Sequence, residues 1–317
     1  MAVTGSSVAQ TARLREASNA PGASNEEMGM PLAVFSQSGP RRLGKVFGNS
    51  IVDLSVAAPE LPDNIVDFLK SGEAALAAWR AVGEDSPGRL SLADVTLHAP
   101  VPAPEKFLAI GMNYGEHARE AASIGYATPT SQLWFNKQVS CINDPFGDVE
   151  MPNVSDDLDY EAELAVVIGK TCRHVPVDTA RGVIGGYMVA NDVSVRDWQK
   201  RSPTMILGKG WDTHGPIGPW LTLDEEVDDP HNLNLRCLVN GEVKQNDNTA
   251  KMIHNIYEQI AYLSTVMTLK VGDILSTGTP SGVGVAKDPP EFVKVGDVMR
   301  IEIDGLGHIE NRVVAEP

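Results

Sequence analysis

Residues 159 to 170 read DYEAELAVVIGK, and this stretch constrains the fold more than any other. Leu164 to Ile168 form an apolar, β-branched run that reads as a buried strand. Immediately before it, Asp159, Glu161 and Glu163 occupy every second position. Side chains alternate across a strand, so the three acids point to one face. Glu161 and Glu163 would stand ~6.6 Å apart at Cα, from a rise of ~3.3 Å per residue. If their carboxylates converge to about 4 Å, the repulsion is ~4 kcal/mol at an effective dielectric near 20. Water screens them, a proton neutralises one, or a cation sits between them. A solvated strand face is the plainest answer, but a segment that continues as LAVVIG should be central in its sheet, where full solvation is uncomfortable.

The rest of the chain is also rich in strand signals. QLWFNKQ, GGYMVANDVSV, GPWLTL, LNLRCLVNGEVKQ and DVMRIEIDGLGHIENRVV all read as strands, with Asn240–Gly241 as a hairpin turn. One long helix is expected from about Thr249 to Met267, with Met252, Ile253, Ile256, Ile260, Leu263 and Met267 at helical spacing and Asn248 as its cap. Near the start, PLAVFS, RRLGKVF and SIVDLS suggest a small meander, followed by two helices in LPDNIVDFLKSG and EAALAAWRAVG. The proline-punctuated HAPVPAPEK (98 to 106) reads as a linker. The expected organisation is a poorly ordered extension over 1–30, a small N-terminal α+β domain over 31–100, and a β-rich α+β domain over 101–317.

Hydrophobic residues make up 42% of the 317 and charged residues 21%, which places the chain among globular proteins. A formal charge of −16 disfavours nucleic acid and anionic membrane as general partners. No apolar run approaches the ~20 residues of a membrane helix. Residues 1 to 30 lack an apolar signal core, and a transit peptide there is the lesser reading. Cys141, Cys172 and Cys237 fit no zinc or CxxC spacing and read as three reduced thiols, which leads to a cytoplasmic expectation.

Four further segments carry candidate chemistry. In VANDVSVRDWQ, Asp192 ends an apolar run, where a carboxylate needs a partner; Arg196 or the following turn could supply it locally. Glu161, Glu163 and Asp192 together form a hard oxygen set suited to Mg²⁺, Mn²⁺ or Ca²⁺ rather than zinc. In IGMNYGEHARE, His117 and Glu120 share a helix face, as a surface pair or as a base with its orienting carboxylate. Lys209 stands between glycines in LGKGWDTHGPIGPW, either a loop lysine or a cation aimed at a site. STGTPSGVG lacks the Gly-Lys-Ser/Thr of a Walker loop; it reads as tight turns, or as a hydroxyl and amide nest for a substrate carboxylate.

Taken together and in order, AIGMNYGEHARE, DYEAELAVVIGK, ANDVSVRDWQ, GKGWDTHGPIGPW, VNGEVKQNDNT and LSTGTPSGVG resemble the fumarylacetoacetate hydrolase family, from about residue 101 to the C-terminus. Residues 31 to 100 resemble the small N-terminal domain of many prokaryotic members. The resemblance implies a mixed β-sandwich roll and a homodimer. It implies Glu161, Glu163 and Asp192 as ligands of Mg²⁺ or Mn²⁺, with Asp159 a usual motif residue but not a ligand. His117 and Glu120 match the catalytic dyad on a lid, and Lys209 the lysine near the metal-bound oxygens. Arg196 and Gln199 match positions that touch or support the substrate, and Thr279 the threonine that meets its carboxylate. Ala121 to Gln132 matches no pattern and lies where members differ, so a role in specificity is expected.

Hydrolysis of an acylpyruvate-like 2,4-dioxo acid is the leading expectation. The metal and Lys209 would stabilise the departing enolate, and His117 would activate water. The alternative is keto–enol tautomerisation or decarboxylation of oxaloacetate, or a related isomerisation or dehydration, on the same site; ANDVSVRDWQ and DDPHNLNLRCLVNGEVKQ resemble the branch with oxaloacetate tautomerases. A third reading is a non-catalytic relative holding a structural Ca²⁺, against which stands the co-occurrence of His117, Glu120 and Lys209 with the acids.

Overall fold

The structure is a computed structural model that describes residues 29–125 and 127–317. Apart from its last two residues, the expected extension over 1–30 lies outside the described residues. Strands dominate, and the fold is a mixed, β-rich α+β architecture.

The largest sheet has 12 strands. Its hydrogen-bonded path runs Arg89–Ser91, Ser50–Asp53, Arg42–Phe47, Leu32–Ser36, Gly215–Leu223, Ile184–Asn191, Ala162–Ile168, Ile274–Ser276, Phe107–Gly111, Leu133–Lys137. The Ala162–Ile168 strand is buried along its whole length. Leu164, Val166 and Ile168 join one core with Val189, Leu235, Met299, Ile301 and Ile309. Ala165 and Val167, on the opposite face, join a second core with Leu32, Phe68, Trp79, Met188 and Leu221. Both faces are covered, so the strand needs a continuous apolar run rather than alternation. A five-stranded sheet, with Glu242–Asn248, Asn234–Val239, Val298–Ile303, Gly307–Ala315 and Val149–Met151 in that order, supplies the cover on the first face.

The expected meander forms, as antiparallel pairs Leu32↔Lys45 and Lys45↔Val52. Ser36 Oγ lies 2.8 Å from His98 Nε2, and His98 Nδ1 lies 2.9 Å from Asp144 Oδ2, fastening these N-terminal strands to the segment after Cys141. At the hairpin, Asn240 (φ 52) and Gly241 (φ 81) both adopt the positive φ that their dipeptide signals.

The long helix differs from expectation. The α-helix is Ile256–Val266, and Thr249–Lys251 is a separate 3-10 turn. Asn248 caps only that turn, whereas Asn255 caps the helix in a reciprocal box with Glu258. Two asparagines with equivalent capping chemistry lie seven residues apart, and helical spacing of the apolar residues between them does not tell one start from the other. Asn255→Ala is therefore expected to lower the unfolding free energy by ~1 kcal/mol, measured by urea denaturation.

His214 is buried, with Nε2 donating to the Glu150 carbonyl at 2.8 Å, and burial pushes its pKa down to about 4. An unfolded histidine titrates near ~6.5, so below that pH the unfolded chain takes a proton that the folded one refuses. The contribution of His214 is thus present above pH ~6.5 and is lost as pH falls toward 4, at up to ~1.4 kcal/mol per unit. His214→Gln, which keeps a donor, is expected to flatten the stability profile across this window, measured by urea unfolding at a series of pH values.

Candidate active site and metal centre

The site is built where two strands end. Glu163 pairs with Ala190 and Ala162 with Asn191, and the amide of Asp192 donates to the Glu161 carbonyl at 3.0 Å. The strand ladder thus brings Glu161 and Asp192 alongside one another. Carboxylate oxygens of Glu161, Glu163 and Asp192 all lie within 4.8 Å of one another, and all three residues are buried. Asp159 stands apart, in a short strand paired with Ser194–Val195.

Three buried cations meet these acids. Lys209 Nζ donates to Glu161 at 2.8 Å and to Asp192 at 2.7 Å. Arg196 reaches Glu161 at 2.7 Å, Asp159 at 2.8 Å and the Gln199 side-chain oxygen at 3.1 Å. Lys137 Nζ donates to the other oxygen of Asp192 at 2.6 Å and to the Lys209 carbonyl at 2.7 Å. Asp192 therefore pairs with two lysines, and not with Arg196 as its local context suggested. Among the described residues Glu163 has no cation partner; it accepts from Ser276 Oγ and from the Gly278 amide at 2.9 Å.

Electrostatics follow from these contacts. Burial, reinforced by the charges of Asp192 and Glu161, pushes the Glu163 carboxyl well above its usual range. Burial acts on Glu161 the same way, but Lys209 and Arg196 overcome it and hold that carboxyl low. Burial would lower the Lys209 ammonium, yet Asp192 and Glu161 raise it. Three convergent carboxylates, one of them driven toward a proton by burial and by its acidic neighbours, form a donor set that fits a hard divalent cation such as Mg²⁺ or Mn²⁺.

His117 and Glu120 lie on the Gly115–Ser123 helix, 3.4 Å apart between Nδ1 and Oε2. The Gly282 amide holds Glu120, at 2.9 and 3.1 Å from its two oxygens. His117 faces Glu161, Glu163, Arg196, Gln199, Lys209 and Thr279 across one cavity of about 90 Å³. By the ~10–15 Å³ that one water occupies on such a measure, this holds several waters or one small acid. All nine site residues expected from the sequence are thus placed in one neighbourhood, Glu120 behind His117 and Asp192 behind Lys209. Ala121 and Ile124, from the stretch without a pattern, also line the cavity.

Two elements escaped the sequence reading. Lys137 shares a strand face with Phe135, and a lysine at a core-facing position is the signal that could have exposed it. STGTPSGVG is not a free amide nest: Gly278, Gly282 and Gly284 donate to Glu163, Glu120 and Asp159, the last at 2.8 Å. Its amides hold the protein's own acids. Gly208 shows how tightly Lys209 is placed, because a Cβ there would lie 2.5 Å from the Gln199 backbone.

The β-rich fold and its buried three-carboxylate centre, which fits a metal ion, are matched in one enzyme family. Residues 106–314 match the family model "Fumarylacetoacetate (FAA) hydrolase C-terminal", and the chain belongs to that family. It is 43% identical over 269 residues to a mitochondrial oxaloacetate tautomerase of Xenopus laevis, covering 84% of this chain and 83% of that protein. Among solved structures, a fumarylacetoacetate hydrolase from Exiguobacterium antarcticum superposes with a TM-score of 0.80 at 32% identity, over 91% of this chain and 100% of that one. The maleylpyruvate hydrolase of Sphingobium sp. SYK-6, in complex with manganese(II) and pyruvate, gives 0.76 at 33% identity with the same coverage.

These relatives correct two expectations. The cytoplasmic assignment does not stand, since the tautomerase relative is mitochondrial; reduced thiols separate a reducing compartment from an oxidising one and cannot tell two reducing compartments apart. The leading expectation of hydrolysis gives way in support to its alternative, because the curated relative described above is an oxaloacetate tautomerase.

Lys137→Met would leave Asp192 one cation short in a buried site. The expected outcome is a loss of about 3 kcal/mol in unfolding free energy, read by urea denaturation. A loss below ~1 kcal/mol would show that Lys209 alone satisfies Asp192.

Proposed function

We propose that the chain is a divalent-metal-dependent oxaloacetate keto–enol tautomerase. The observation that carries this reading is the buried Glu161–Glu163–Asp192 triad facing His117 across a cavity sized for a small acid. The identity with mitochondrial tautomerases supports the substrate, and it supports a mitochondrial location.

The reaction moves one proton between the C2 oxygen and C3 of the acid. Glu161, Glu163 and Asp192 would hold Mg²⁺ or Mn²⁺, and the ion when bound would supply Lewis acidity toward negative charge on the oxygens of the acid. Lys209 adds a fixed positive charge beside the same oxygens, already oriented by Glu161 and Asp192. His117, with its ring oriented by Glu120, carries the proton to and from C3. Thr279 and the buried, unpartnered Nη2 of Arg196 offer donors to the anionic acid. Apolar side chains of Ile110, Leu133, Phe135, Val283 and Val285 form the rest of the cavity wall, lowering the local dielectric and strengthening these charges. Nothing in this sequence needs a water positioned against a distal carbonyl.

Hydrolysis of a 2,4-dioxo acid is the second reading, supported by the maleylpyruvate hydrolase neighbour. The test follows enol absorbance of oxaloacetate and, separately, carboxylic acid release from acylpyruvates. The expected outcome is Mg²⁺- or Mn²⁺-dependent enol loss, abolished by EDTA, with no second acid released. Acid release from acylpyruvates with unaccelerated enol loss would assign the chain to the hydrolases. Glu161→Gln is expected to abolish turnover at least ~100-fold.

A further inference from the structure

We infer that Gln245, a residue outside the cavity, turns the proton of the Thr279 hydroxyl toward the cavity and so makes that wall of the site favour an anionic oxygen. This rests on the keto-acid reading above and names how one contact of that site acquires its polarity.

Gln245 lies buried in the Glu242–Asn248 strand, and all its amide atoms are engaged. Its Oε1 accepts from the Ala162 amide at 2.9 Å. Its Nε2 donates to Thr279 Oγ1 at 2.8 Å and to the Pro280 carbonyl at 2.8 Å. These partners fix which end of the amide is which. The Ala162 amide can only donate, and the Pro280 carbonyl can only accept, so a flipped Gln245 would set donor against donor and acceptor against acceptor.

The consequence falls on Thr279. Its oxygen already accepts a hydrogen bond from Gln245, so its own proton must point elsewhere. No acceptor among the described residues takes that proton. Thr279 is buried and lines the cavity with Glu161, Glu163, Arg196 and Lys209. A buried hydroxyl with one lone pair already taken by Gln245 and its proton uncommitted offers a cavity ligand a hydrogen to accept. A carboxylate oxygen suits it best, since charge-assisted bonds are about twice as strong as neutral ones.

The backbone is shaped to keep this contact. Gly282, two residues beyond Pro280, adopts φ +104, and a Cβ there would lie 2.2 Å from the Lys244 carbonyl. Only glycine lets the loop approach the strand this closely, immediately beside Gln245. The same amide that steers Thr279 also braces Ala162, between Glu161 and Glu163, so a merely structural role must be separated from a polarity role.

Two variants do this, assayed as the full chain loaded with Mn²⁺ at mildly alkaline pH. Gln245→Glu keeps an acceptor for Ala162 but turns an acceptor toward Thr279, drawing its proton out of the cavity. Gln245→Met removes all three bonds and leaves the hydroxyl free to rotate. The expected order for keto-acid binding is wild type, then Met, then Glu, with KM for oxaloacetate raised at least ~10-fold by Gln245→Glu, kcat changed less than ~3-fold, and the Mn²⁺ Kd unchanged. Thr279→Val should raise KM similarly, and adding Gln245→Glu to it should cause no further loss. Calorimetric binding of pyruvate reads the same order without turnover. Pyruvate binding that follows this order without oxaloacetate turnover would overturn the tautomerase reading alone. Equal loss in both Gln245 variants, additive losses with Thr279→Val, a parallel fall in Mn²⁺ affinity, or no pyruvate binding by the unaltered protein would each overturn this inference.

Discussion

The structure depends on one electrostatic problem and its solution. Glu161, Glu163 and Asp192 are buried together, Asp159 is joined to them through Arg196, and among the described residues only Lys137, Lys209 and Arg196 form buried ion pairs with these four acids. Burying charge is costly unless each group finds a partner with good geometry. The network falls one positive charge short, and the shortfall settles on Glu163, the one acid without a cation partner. A divalent ion would turn the surplus by one unit to the positive side. That is the sign needed to receive an anionic acid, so the charge balance of the protein alone, the ion and the substrate are linked.

Two strands ending side by side make this arrangement possible. A strand buried on both faces cannot be solvated at its end, yet it supplies the rigid register that holds Glu161 and Asp192 in one place. The cations come from different parts of the chain: Lys137 from a strand near the edge of the same sheet, and Lys209 and Arg196 from two short helices. Lys137 also bonds the Lys209 carbonyl, so one lysine braces both the acid and the neighbouring cation. The site is thus held by tertiary contacts between segments distant in sequence, and each side chain in it has its direction set before any ligand arrives.

Much of this was legible in the sequence for physical reasons. The period-two acids before an apolar run state the conflict that the site resolves. The strand-rich pattern, the Asn240–Gly241 turn and the order of six motifs follow from local chemistry and from family resemblance. What was not legible is pairwise. Local spacing offered Arg196 to Asp192, whereas the fold gives Asp192 two lysines and Arg196 to Asp159 and Glu161. Asn248 and Asn255 carry the same capping group, and only tertiary packing decides which opens the long helix. The compartment failed for a different reason: thiol chemistry reports redox state and not address.

The Gly-rich loop shows why composition misleads about ligands. Its run of glycine and hydroxyl residues has the makings of an anion nest. In the fold, the Gly278, Gly282 and Gly284 amides are each committed to a protein carboxylate. The loop therefore acts as a neutral counterpart to the three cations: it stabilises Glu163, Glu120 and Asp159 with dipoles, adding no charge. That distinction matters for chemistry. A fourth cation near Glu163 would balance the site without an ion, whereas dipoles hold the carboxylate in place and leave the charge deficit open. Within the same loop, Thr279 accepts from Gln245, and its own proton has no protein acceptor among the described residues. The acids of the protein take the amides, and the hydroxyl is left for the carboxylate of the keto acid proposed above as substrate.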